Sequence, residues 1–135
     1  MKAGVYWWLL LLMPGMSGIT QAHEVRPGYL ELREIDRLHY DLLGKVPAKN
    51  DKRLGLYVTL PAHCTPPEPH SRFVGGAFIE RSRVSCEQPL IGERIVIDGL
   101  PDTRTDVLAR VQHQDGATQT VRLTPSQPAF TVTGR

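Results

Sequence analysis

Apolar and polar residues alternate with a period of two along most of the chain beyond residue 27, and this pattern predicts strands. In Gly28-Tyr29-Leu30-Glu31-Leu32-Arg33-Glu34, Leu30 and Leu32 fall on one face while Tyr29, Glu31 and Arg33 fall on the other. Leu38–Val46 follows an Ile35-Asp36-Arg37 turn and completes a hairpin. Leu54, Leu56, Val58 and Leu60 share a face in the next run, which Pro61 stops. Pro66, Pro67 and Pro69 make Ala62–Ser71 an ordered loop or crossover, because proline removes ladder donors and breaks helices. Phe73–Cys86 reads as one long strand or two bent segments, with Gly75-Gly76 marking a bulge or turn. Past Gly76, Phe78 shares a face with Glu80 and Ser82, opposite Ala77, Ile79, Arg81 and Arg83. Arg94–Asp98 is short and β-branched, Thr105–Gln114 and Thr118–Thr124 flank an Asp115-Gly116 hairpin signal, and Phe130-Thr131-Val132 adds a terminal strand. About seven strands spaced near ten residues apart, with no long amphipathic helix, predict an all-β, antiparallel β-sandwich of Ig-like, Greek-key type. Its expected core includes Leu30, Leu32, Leu54, Leu56, Val58, Ile95, Ile97, Val107 and Val121.

The first 22 residues break this pattern and have the layout of a secretory signal. Lys2 supplies the positive end, Val5–Met13 the apolar stretch, Pro14-Gly15 the break, and Thr20-Gln21-Ala22 a small-x-small cleavage site. Nine apolar residues are too short to span a bilayer about 30 Å thick. Residues 23–135 then form one mature extracytoplasmic domain, periplasmic in a bacterium, with no membrane span after cleavage. Loss of Lys2 takes the formal charge from +2 to +1. Such a balance, with both signs interspersed, leaves no electrostatic footprint for nucleic acid.

Export changes the reading of the cysteines and of one histidine. In an oxidising compartment Cys64 and Cys86 most simply form one disulfide, contributing about 3 kcal/mol by loop closure. The rival is a metal cluster of His63-Cys64 with His70 or Cys86. Cleavage after Ala22 makes His23 the first mature residue, whose α-amine and imidazole together chelate a transition metal. Nitrogen donors favour copper, with nickel the other choice. A second imidazole would come from His39, His63, His70 or His113, of which His63 and His70 flank the proline-rich loop. His39 and His113 sit at positions expected to face solvent. Val25 occupies mature position three, so the motif needing histidine there is absent.

Enzymatic constellations are poor. Ser71, Ser82, Ser85 and Ser126 lie outside any G-x-S-x-G context, and Gly75-Gly76 lacks the lysine and helix of a phosphate loop. The expected role is therefore binding. Glu24, Arg26 and Pro27, at the start of the mature chain, are candidate partner contacts, as is the Pro61–Arg72 loop.

A family resemblance runs through the same blocks. Ala22–Leu32, Lys45-Val46-Pro47, Phe73-Val74-Gly75-Gly76-Ala77, Ile97-Asp98-Gly99-Leu100, Thr105-Asp106-Val107-Leu108 and Arg122-Leu123-Thr124-Pro125 resemble, in order, the extracytoplasmic domain of HupE/UreJ-like hydrogenase and urease accessory proteins. In that family a transmembrane bundle normally follows, and some members are thought to be nickel or cobalt permeases. This chain reaches Arg135 before any such bundle, so transport does not carry over. The resemblance implies a non-enzymatic accessory domain working with a polytopic membrane protein, or a fragment of one, with a link to metal handling. A soluble copper- or nickel-binding protein using His23 is the alternative.

Overall fold

The computed structural model describes residues 26–134. The expected export signal, its cleavage site, His23 and Glu24 lie outside the described residues. Ten strands follow one another: β1 (Gly28–Asp36), β2 (His39–Lys49), β3 (Lys52–Arg53), β4 (Tyr57–Thr59), β5 (His70–Val74), β6 (Ala77–Ser85), β7 (Arg94–Asp98), β8 (Val107–Gln112), β9 (Thr118–Leu123) and β10 (Ala129–Thr131). A seven-stranded sheet has the order β5-β6-β2-β1-β8-β9, with β3 paired to the end of β2; a three-stranded sheet has the order β10-β7-β4. Among the described residues no helix is long and apolar enough to cross a membrane.

Alternation decides what each strand contributes. Gly28, Leu30, Leu32 and Glu34 are the buried positions of β1, and Tyr29, Glu31 and Arg33 face outward. Leu30, Leu32, Leu42, Val84, Val111 and Leu123 of the large sheet join Leu56, Ile95, Ile97 and Phe130 of the small sheet and its flanks in one core. Each such side chain contributes about 1.5–3 kcal/mol on burial. Of the expected core, Leu54, Val58 and Val121 are only partly buried and pack against its edge. The small sheet leaves one end of the large sheet uncovered, and β5 is exposed at every residue.

Several local expectations change. The strand count rises to ten because short pieces, β3 among them, pair as separate strands. Of Leu54–Leu60 only Tyr57–Thr59 is strand; the Leu54 N–H donates back to the Pro47 carbonyl, and Arg53 holds the carbonyls of Leu54 and Leu56 with its own donors. Phe73–Cys86 is divided between two antiparallel strands. Gly75-Gly76 is the two-residue turn between them, with φ of 60° and 81°, the left-handed pair that a tight hairpin needs. His70 and Ser71 belong to β5 rather than to the preceding loop. The larger difference lies in the direction of one pairing. β1 runs antiparallel to β2 but parallel to β8, with Leu30 beside Ala109 and Leu32 beside Val111. A chain that leaves β7 through a 3-10 turn at Leu100–Asp102 reaches the free edge of β1 already travelling in the same direction.

That parallel register also corrects His113. Val107, Ala109 and Val111 are the inward positions of β8, and His113 is the next in the row, 4% exposed. Its Nε2 lies 2.9 Å from the Thr133 carbonyl, and its Nδ1 lies 3.7 Å from buried Glu34. Glu34 in turn accepts the Gln114 backbone N–H at 2.7 Å. His39, by contrast, is exposed as expected and shares the Asp36 carboxylate with the turn amides of Leu38 and His39.

Candidate binding cleft between the sheets

Facing strands build a cavity where the small sheet ends. The inward row of β2 is Tyr40, Leu42, Gly44 and Val46; their partners on β6 are Val84, Ser82, Glu80 and Phe78. Gly44 therefore leaves a missing side chain in the middle of an otherwise apolar row, beside Leu30 on β1. A Cβ placed on it would find its nearest neighbour, the Glu80 carbonyl, 4.0 Å away. The resulting cleft is about 370 Å³, walled by Leu30, Leu42 and Val46 from one sheet and by Leu56, Val58 and Ile97 from the other side. Pro67 and Pro69 bring the proline-rich loop to it, and Tyr57, 59% exposed, stands at its rim.

Arg53, Glu80 and Ser82 are polar residues of this lining, with Lys45, Tyr29 and Tyr57 beside them. Arg53 grips Glu80 with both ends of its guanidinium fork, Nε donating to Oε2 at 2.7 Å and Nη2 to Oε1 at 2.9 Å. The same guanidinium donates to the Leu54 and Leu56 carbonyls at 2.8 and 2.9 Å and lies 4.4 Å over the Tyr57 ring. Hydrogen bonding to Glu80 raises the Arg53 pKa above its usual value, against the opposing effect of burial. The pair is thus a rigid, charged post with its donors committed. Ser82 differs: its hydroxyl oxygen is buried and has no hydrogen-bond partner among the described residues. An unpaired buried hydroxyl costs about 1–3 kcal/mol.

The residues expected from sequence to bind metal separate. His63 Nδ1 lies 3.8 Å from Cys64 Sγ, and Cys64 is joined to Cys86 with an S–S distance of 2.09 Å. Those two sulfurs and His63 are a group of potential metal donors lying within 4.8 Å of one another. His70 is not part of it. It sits on exposed β5 opposite Arg81, and with Glu68 borders a shallow charged groove on the outer face of the large sheet. Arg26 and Pro27 are exposed, but the Arg26 guanidinium is already engaged, donating to the Gly75 carbonyl at 2.7 Å.

Gly44, Arg53 and Glu93, which lies 3.0 Å from His63 Nε2, escape sequence reasoning. The cleft did leave a trace: a glycine and two polar residues, Glu80 and Ser82, on alternating rows where apolar residues belong. Comparison with known proteins finds no matching family model, no matching curated protein and no matching solved structure.

Proposed function

We propose that this is a non-enzymatic, extracytoplasmic binding domain that takes an apolar portion of a partner protein into the cleft between its sheets. The observation that carries this reading is the cleft itself: apolar walls, a committed ion pair and one unpaired hydroxyl. Its volume of about 370 Å³ falls at the small end of the roughly 300–1,000 Å³ typical of ligand sites. It fits one or two side chains better than an extended substrate. Mostly apolar walls with a few placed polar groups make a recognition site, because burial supplies affinity and the hydroxyl supplies orientation.

The partner we propose is a polytopic membrane protein of the HupE/UreJ type, met on the outer side of the membrane. Support comes from the sequence blocks that resemble, in order, that family's ectodomain and from the signal-like first 22 residues. The test is a photo-crosslinking residue placed at Tyr57, on the cleft rim, in cells that express the domain naturally. The expected product is a crosslink to a protein with several membrane spans. Gly44→Leu, which puts a side chain into the cleft from a position whose Cβ meets nothing nearer than 4.0 Å, should abolish that crosslink while the domain keeps its sheet structure. Absence of any membrane-protein crosslink, or one indifferent to Gly44→Leu, refutes the proposal.

A further inference from the structure

The strongest cluster outside the cleft surrounds the disulfide. Cys64 and Cys86 face each other across an isolated antiparallel bridge. Backbone bonds flank the pair on both sides: Thr65 N–H to the Ser85 carbonyl at 2.8 Å, and Glu87 N–H to the His63 carbonyl at 3.2 Å. The Ser85 N–H also donates to Thr65 Oγ1 at 3.1 Å. These contacts do not pass through the sulfurs, so they keep the two residues opposed when the S–S bond is open. His63 is oriented from its far side. Its Nε2–H donates to the Glu93 carboxylate at 3.0 Å, which leaves the Nδ1 lone pair for the sulfur side, 3.8 Å from Cys64 Sγ. A carboxylate holding the distal N–H is the arrangement that orients metal-binding histidines.

We propose that Cys64, Cys86 and His63 form a redox-gated site for monovalent copper. A dithiol reductant delivers two electrons and two protons to the disulfide and leaves as its own disulfide. Cu(I) then displaces both thiol protons to solvent and is held by two thiolates and His63 Nδ1. Soft thiolates select Cu(I) among first-row ions, and three donors suit Cu(I) better than zinc, whose structural sites are four-coordinate. The sulfurs are nearly buried, while His63 and Glu93 retain 16% and 31% side-chain exposure. The imidazole thus marks the side on which an ion enters. A disulfide oxidant that takes up the two electrons and leaves as its own dithiol re-forms the Cys64–Cys86 bond and releases Cu(I) to solvent, so the site exists only under reducing conditions. It uses none of the cleft residues and stands apart from the proposed partner binding.

The experiment titrates the full mature domain with Cu(I) anaerobically against a competing Cu(I) chelator. One sample is reduced with a phosphine and desalted, and the other is left oxidised. Expected are one Cu(I) per reduced chain, none per oxidised chain, and unchanged sheet circular dichroism on reduction. His63→Ala and Glu93→Gln should each weaken binding by about 10–100-fold, whereas His23→Ala should leave it unchanged. Equal binding by both redox forms, indifference to His63→Ala and Glu93→Gln, tighter binding of Zn(II) than of Cu(I), or loss of the sheet signal on reduction would each overturn the proposal.

Discussion

Substituting Arg53 and Glu80 singly and together measures how far the cleft is a desolvated, preorganised site. Arg53→Met and Glu80→Met each strand one charge where two charge-assisted bonds of 2.7 and 2.9 Å existed. Such bonds are worth about 1.5–3 kcal/mol each when shielded. The side chains are 21% and 16% exposed, so solvent compensates part of the loss. In Glu80→Met, Arg53 also keeps its bonds to the Leu54 and Leu56 carbonyls, whereas Arg53→Met gives them up. The cost of each single substitution is therefore below the 3–5 kcal/mol of a fully buried broken pair, at about 2 kcal/mol. For a domain of this size that lowers Tm by about 8 °C. The double variant leaves no stranded charge and adds apolar surface, so it should lose only about 1–2 kcal/mol, giving a coupling of about 2–3 kcal/mol. Urea denaturation of all four proteins, with unchanged m-values, gives the cycle directly. A coupling within about 0.5 kcal/mol of zero would mean that the pair behaves as an exposed salt bridge, and the cleft would not be a shielded site.

Three further outcomes are expected. Tyr40→Phe should cost about 1–2 kcal/mol in denaturation, because the Tyr40 hydroxyl accepts the buried Leu90 N–H at 3.1 Å and phenylalanine leaves that donor unpaired; burial, the largest influence on this phenol, also raises its pKa, so its ultraviolet titration should come late in the native protein. Gly99→Ala should destabilise by more than about 2 kcal/mol, since Gly99 has φ 88° and a Cβ there would run into the Gly55 carbonyl; a fully stable variant would show that the Gly55–Gly99 approach is wrong. The Asp36 carboxyl should titrate below its ordinary value of 3.8, held down first by the His39 side-chain hydrogen bond and next by the Leu38 amide. Its stabilising contribution is present above the unfolded-state value and is lost as pH falls through the lower folded-state value. His39→Ala should move the carboxyl resonance midpoint upward in an NMR titration, and an unmoved midpoint would remove His39 as the cause.

Residue order along the chain settles which side chains share a face. Leu30 and Leu32 point inward on β1, and Ile95 and Ile97 do so on β7, because a strand alternates whatever lies beside it. It also marked the tight turn at Gly75-Gly76, through residues that tolerate positive φ, and supplied the two cysteines that meet across the sheets' edge. Tertiary structure decided which faces meet. A period of two is the same for parallel and antiparallel neighbours, so nothing local announces that β1 lies parallel to β8, and therefore that Glu34 and His113 are buried together. The cleft has the same origin. Gly44, Glu80 and Ser82 interrupt the apolar rows of their own strands but become a site only when β2 and β6 align and the small sheet stops short of covering them. Glu93 reaches His63 from 30 residues away for the same reason: side-chain chemistry is written locally, but proximity is set by how the whole chain buries its apolar faces.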